Sequence, residues 1–224
     1  TKNDPLLLNI VNSANIACGY HAGDKRTMEK TIEISKINKV SVGAHPSFDD
    51  KENFGRKRIK LPPVEIWNLI IDQINLLSEI AINKKMKVTH VKPHGALNNM
   101  ACEDYELAKI ISESIIKVSK DLIFLVPAGS QMERAGKNLG MKVASEIFAD
   151  RNYEDDGSLV SRSKKHAMIT DPKIAEKHIT KMVQNQALNC YSGRKIPCEI
   201  DSVCVHGDGL NAVNTAKQIK KGLI

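Results

Sequence analysis

Apolar residues recur along this chain in two rhythms. In "LPPVEIWNLIIDQINLLSEIAINKK" Ile66, Ile70, Ile74, Leu77 and Ala81 fall at steps of three and four, and "EDYELAKIISESIIKVSK" repeats the spacing with Leu107, Ile111, Ile115 and Val118. Such steps put side chains on one stripe of an α-helix. "DPLLLNIVNSA" and "DPKIAEKHITKMV" each open with aspartate before proline. Asp4 and Asp171 are therefore expected N-caps, with Pro5 and Pro172 at the first helical position. "GLNAVNTAKQIKKG" reads as a closing helix with Gly222 as its expected stop. The second rhythm is a set of short apolar runs, "ANIACG", "KVSVGAH", "KVTHVK", "DLIFLV", "MKVASEIFA" and "DSVCVHG", each compatible with a buried strand.

Strands and helices alternate almost strictly, which predicts an α/β domain with a parallel sheet and helical crossovers, either closed as a barrel or open and doubly wound. No repeat, low-complexity tract or linker marks a boundary, so residues 1–224 read as one domain. The first element is a helix although each later helix follows a strand, so either the fold begins on a helix or a leading strand stands ahead of Thr1. Two connections, "PSFDDKENFGRKRIKLPP" and "DRNYEDDGSLVSRSKKHA", are long and polar; long loops in compact domains are usually functional.

Composition narrows the class. The apolar runs are too short or too interrupted to cross a bilayer, and the start lacks the basic and apolar regions of a secretory signal. A cytoplasmic protein without membrane partners is the expectation. Five cysteines at scattered spacings include no C-x-x-C pair, which argues for reduced thiols rather than disulfides or a zinc knuckle. The net charge of +7 is spread over many segments without interleaved aromatics, which fits a solvated lysine-rich surface and no nucleic-acid partner.

The chemistry-bearing residues gather where strands end, the usual place for active residues in parallel α/β folds. His21 follows "NIACGY", His45 follows "VSVGA", His94 follows "THVKP", Asp150 and Arg151 follow "SEIFA", and His206 and Asp208 follow "SVCV". Five strand ends should deliver them to one rim. In "THVKPHGALNN" a strand period of two puts His90, Lys92 and His94 on one face. By parity His90 lies deeper and reads as core or support, and Glu146 shares parity with Asp150. His166 in a polar loop and His178 on a helix stripe read as structural. The sequence contains neither G-x-x-x-x-G-K-[ST] nor a G-x-G-x-x-G between strand and helix, so a phosphate cradle of those types is not expected.

"SANIACGYHAGD", "VGAHPSFDDKENFGR", "HVKPHGAL", "EIFADRNYEDDGSLVSR" and "VCVHGDG", in this order, closely resemble the LamB/YcsF family from about Asp4 to the C-terminus. The resemblance implies a distorted seven-stranded parallel β/α barrel akin to the polysaccharide deacetylases. Its first strand, with an acidic loop reading like "DLNxDxGE", would stand ahead of Thr1, so that the chain is truncated at its N-terminus relative to the family. The family usually has Tyr where Asn98 stands and Pro where Ser161 stands. The implied activity is an ATP-dependent hydrolysis of 5-oxoproline to L-glutamate, with ATP cleaved to ADP and phosphate and with 5-oxoprolinase subunits B and C as partners. On that reading Lys92 supplies a fixed positive charge, His94 carries a proton, and Asp150, His206 and Asp208 form an acid/base set. His21, His45, Arg56, Arg151 and Arg162 are the expected substrate-binding residues. Two alternatives remain at this level. One is metal-dependent deacetylation of a carbohydrate, with a divalent ion on Asp150, His206 and Asp208 or on His45 and His94. The other is a non-catalytic binding subunit.

Overall fold

The computed structural model describes residues 3–209 and 211–223. Eight strands and eight helices are assigned among them. They run α1 (Asp4–Leu7), β1 (Ser13–Ala17), α2 (Lys25–Ile37), β2 (Ser41–His45), α3 (Pro63–Asn83), β3 (Val88–Val91), α4 (Gly95–Glu103), α5 (Tyr105–Val118), β4 (Ile123–Pro127), α6 (Gln131–Asn138), β5 (Val143–Phe148), α7 (Pro172–Asn185), β6 (Ala187–Asn189), β7 (Lys195–Pro197), β8 (Ser202–Cys204) and α8 (Ala212–Leu223). This is an α/β fold whose parallel sheet has six strands in the order β1-β2-β3-β4-β5-β8. All six strands foreseen from the apolar runs are in it. The seventh strand, which the family resemblance puts ahead of Thr1, lies outside the described residues.

The chain divides into two compact units. The first, which we call the histidine unit, comprises Asn12–Val126 and Ser130–Val143. Its core joins Ile16, Val42, Ala44, Val91, Phe124 and Val126 from the strands to Ile66, Ile70, Ile74 and Leu77 of α3 and Ile111 and Ile115 of α5. The stripe read from the sequence is thus the buried face, and each such aliphatic side chain contributes about 1.5–3 kcal/mol on burial. Gly43 in β2 has a packing reason: a Cβ there would lie 2.2 Å from His90 Cδ2. Its absence lets the His90 ring occupy the neighbouring strand, where the register shifts between Val42 and Gly43.

The second, the C-terminal unit, comprises residues up to Val11, Pro127–Gly129 and residues from Ala144 on. Ile147, Phe148, Tyr153, Ile179, Met182, Leu188 and Ile219 form its main core. Three expectations need correction here. The "DPLLLNIVNSA" helix is a single turn, Asp4–Leu7; its N-cap is Asn3 rather than Asp4, and the Asn3 side chain donates instead to Gly207 O at 3.2 Å. Gly222 does not stop the last helix but lies inside α8, where a Cβ would come 2.6 Å from Glu176 Oε1. The antiparallel pair β6-β7 was not foreseen, because three-residue strands carry too little pattern to read. The Asp171 cap stands as expected, accepting from Lys173 N and Ile174 N at 2.8 and 3.0 Å.

Candidate active site

In the histidine unit, three connections after strands deliver three imidazoles to one place. β1 leads to His21, β2 ends on His45, and β3 ends at Val91, so Lys92 and His94 lie in the extended segment that enters α4 rather than in the strand. Backbone bonds carry the register beyond the strand: Lys92 N donates to Ala44 O at 2.9 Å and His94 N to Pro46 O at 2.8 Å. That register sets His45 Nδ1 2.6 Å from Lys92 O. His94 Nδ1 then lies 2.9 Å from His45 Nε2, and His94 Nε2 lies 3.0 Å from Phe54 O. His21 stacks on His94 with ring centroids 4.0 Å apart at 11°.

The surroundings favour neutral rings. His21 is only 3 % exposed; burial and the neighbouring His94 hold its pKa down to about 3. Burial first, then His94, Lys92 and His21, keep His45 well below the ordinary imidazole range. The Lys92 side chain is buried in the same region. His90 is buried on the supporting side, bonded through Nδ1 to Thr89 Oγ1 at 2.9 Å, with burial and Lys92 lowering it to about 4. Its burial agrees with the core or support position expected from its parity.

The long polar connection singled out in the sequence supplies a strap over these rings; it carries the expected Arg56, whereas Phe54 was not among the expected residues. Asn53–Arg56 follows a loop held at both ends. Gln73 on α3 is fully buried and clamps Ser47 through its N and O at 3.0 and 2.8 Å. The Asp50 carboxylate accepts from Asn53 Nδ2 at 2.7 Å and from Lys57 N at 3.1 Å. Gly55 O accepts from Ala96 N at the start of α4, 2.8 Å away. Phe54 sets its ring edge against His21 and His94 and is itself covered by the Arg56 guanidinium, 5.2 Å from the ring centroid. Both Phe54 and Gly55 have left-handed backbones, with φ of 56° and 67°. For a bulky residue such as Phe54 that conformation is costly. The signal for the strap was present in "FGR", where a glycine follows an aromatic inside a long polar loop.

The C-terminal unit builds a different pair. Parallel register aligns Phe148 of β5 with Cys204 of β8, so the residues two further on, Asp150 and His206, come side by side. His206 Nδ1 lies 2.9 Å from both Asp150 oxygens, and its ring stacks on Phe148 at 5.6 Å. The carboxylate fixes the Nδ1–H form and leaves Nε2 for exchange. Tyr153 supports the strand end by accepting from Phe148 N at 2.7 Å through its hydroxyl. Arg151 is buried and donates to Val160 O at 2.6 Å and Ala167 O at 3.4 Å, binding the loop after β5 together. Arg162 is exposed and donates weakly to Met168 Sδ at 3.5 Å, and Asp208 is exposed. Glu146 is buried in β5. His178 and His166 pack against Tyr153 and Tyr191.

Within each unit, then, the expected residues assemble: His21, His45, Lys92, His94 and Arg56 around the strap, and Asp150 with His206 beside Arg151. Among the described residues no group of three or more His, Cys, Asp or Glu side chains is arranged to hold a metal ion.

A parallel α/β fold with histidines gathered where its strands end describes the class. The sequence pattern of the LamB/YcsF family matches residues 1–224. The chain is 46 % identical to the 5-oxoprolinase A subunit of Clostridium beijerinckii over 98 % of its own length and 86 % of that protein. It is 42 % identical to the 5-oxoprolinase A subunit of Staphylococcus epidermidis over 99 % of its length and 88 % of that protein. The crystal structure of the lactam utilization protein from Thermus thermophilus superposes with a TM-score of 0.91 at 33 % identity, covering 98 % of this chain and 88 % of that one. The chain belongs to the LamB/YcsF family.

Proposed function

We propose that this protein acts as the A subunit of a 5-oxoprolinase, hydrolysing 5-oxoproline to L-glutamate while ATP is converted to ADP and phosphate, together with subunits B and C in the cytoplasm. The observation that carries the reading is the agreement of relatives bearing that name over nearly the whole chain. The same reading includes the seven-stranded barrel closure and the acidic loop expected ahead of Thr1. No helix among the described residues is long and apolar enough to cross a membrane.

The chemistry needs what the two clusters offer. A five-membered lactam recloses readily because its ends are held together, so opening benefits from coupling to ATP. Phosphorylation of the lactam oxygen would make the ring carbon electrophilic; a first water then needs a base and the ring nitrogen an acid, departure of the nitrogen would leave an acyl phosphate that a second water cleaves to glutamate and phosphate, and the anionic groups need fixed cations. In the histidine unit Lys92 and Arg56 are the cations and His94 the proton carrier. In the C-terminal unit Asp150 and His206 form the acid/base pair. A phosphoryl group suits Lys92 and Arg56, and without a P-loop signature in the sequence the nucleotide is assigned in part to the partner subunits. The test is glutamate production from 5-oxoproline and ATP by the protein with subunits B and C. Undiminished output after Lys92→Ala would remove Lys92 from the mechanism, and absence of glutamate with all three subunits present would overturn the function.

A further inference from the structure

Two imidazoles in the histidine unit stand in line between two backbone carbonyls. The contacts are Lys92 O to His45 Nδ1 at 2.6 Å, His45 Nε2 to His94 Nδ1 at 2.9 Å, and His94 Nε2 to Phe54 O at 3.0 Å. A carbonyl only accepts, so each end of this line needs a ring N–H, and the middle needs one proton as well. Three hydrogen bonds need three protons, while two neutral imidazoles carry two. The full line therefore exists only when the pair holds one extra proton.

The groups around the pair work against that proton. The buried Lys92 acts on His45 by its charge, Arg56 lies on the strap, His21 is stacked on His94, and the positive end of α4 begins at His94 itself. When the proton leaves, one contact must yield. The Lys92 contact is the shortest and is locked by the backbone bonds that continue the β2 and β3 register. The Phe54 contact comes from a strap whose Phe54 is 39 % exposed and holds a left-handed backbone. The weaker end is the strap.

We propose that the Lys92 carbonyl and His45 hold His94 in its Nδ1–H tautomer, making His94 Nε2 the proton-accepting atom of the site. The Phe54 carbonyl caps that atom, so the strap is latched when Nε2 carries a proton and released when it does not. His45 is then a positioning residue, not a substrate ligand. The identity of the substrate rests on the function proposed above. In that reaction His94 Nε2 takes a proton from the attacking water as its oxygen bonds the ring carbon, and returns it to the ring nitrogen as the carbon–nitrogen bond breaks. Phe54 O marks where that partner of Nε2 would sit.

The test is ¹⁵N NMR of the ring nitrogens in protein with labelled histidine, His94 being assigned by its loss in His94→Gln. His94 Nδ1 should stay protonated through the titration while Nε2 alone loses its proton as pH rises. His45→Gln, whose amide oxygen can still accept from His94, should keep this tautomer, and His45→Ala should mix the two. Gly55→Ala should push the strap away, since its Cβ would lie 2.3 Å from Ser47 Oγ and 3.1 Å from His94 Cδ2. Losing a carbonyl that accepts from the charged ring should lower the Nε2 midpoint by about one pH unit. Asn53→Gly, which removes the Asn53 Nδ2 bond to the Asp50 carboxylate and so loosens the strap without touching the rings, should shift it in the same direction. An Nε2–H tautomer at high pH, or an unchanged tautomer in His45→Ala, would overturn the relay. An unchanged midpoint in both strap variants would overturn the latch. Because the readout needs no substrate, a failure to open 5-oxoproline leaves this result standing, and the converse also holds.

Discussion

The two histidine sites differ in what stands behind the ring. In the C-terminal unit the His206 Nδ1–H faces a carboxylate, two oxygens at 2.9 Å, with Phe148 on its face. In the histidine unit the corresponding place behind His94 is taken by a second imidazole and then a carbonyl. Both arrangements engage Nδ1 from behind; His94 Nε2 then meets the Phe54 carbonyl at 3.0 Å. Only the first supplies a negative charge. A carbonyl ends a proton chain without balancing its charge, so in the proposed reaction the same residue type serves as a charge-paired acid/base group in one place and as a neutral proton acceptor in the other.

The comparison can be broken most forcefully at the carboxylate. Asp150→Asn keeps the shape but removes the charge and allows the wrong tautomer at His206. Turnover with ATP, 5-oxoproline and partner subunits should fall about 10³-fold or more, whereas a loss below tenfold would show that the pair is structural.

Acid should weaken the histidine unit, where rings are kept neutral. Unfolded His90 takes a proton near pH 6.5, and the folded residue does so only at about 4. Between those values the unfolded chain binds the proton and the native one does not, so stability is full above 6.5, falls as pH drops toward 4, and levels off below. For His90 the loss is about 2–3 kcal/mol by pH 4.5. Urea unfolding at pH 7 and 4.5 should show it, and His90→Leu should reduce the difference by about that amount; an equal difference in the variant would refute the assignment.

The arginines sharpen the contrast within the C-terminal unit. Arg151→Ala removes the Arg151 donor from Val160 O and leaves Ala167 O with Asn152 N at 3.2 Å, and should cost about 1–3 kcal/mol in urea unfolding. Arg162→Ala, at an exposed site, should change stability by less than about 0.5 kcal/mol. If Arg162 meets the anionic substrate, KM for 5-oxoproline rises while stability holds; an unchanged KM would remove it from the binding set.

Much of the fold was legible because burial imposes period. The α3 stripe of Ile66, Ile70, Ile74 and Leu77 is the buried face of a helix, and six apolar runs are the six strands of the main sheet. Where local pattern is thin, composition and structure part. "DPLLLNIVNSA" has the composition of a longer helix, but its backbone turns away after Leu7. Gly222 has the composition of a stop, but it serves the close approach of α8 to Glu176 on α7.

By itself the sequence determined that titratable residues follow the strands, since strand, turn residue and polar side chain are neighbours along the chain. It also placed His90 in a supporting role, because alternation along a strand is a local property. Only tertiary structure decided the partners. Register across separate strands set Asp150 beside His206, 56 positions apart in the chain, and His45 against the Lys92 carbonyl, 47 apart. The Phe54 carbonyl over His94 depends on a loop path held by Asp50 and by the start of α4. A hydrogen bond is a matter of tenths of an ångström between groups that the linear order does not bring together. The chemistry of each ring nitrogen is settled by that distance, and not by the residue's name.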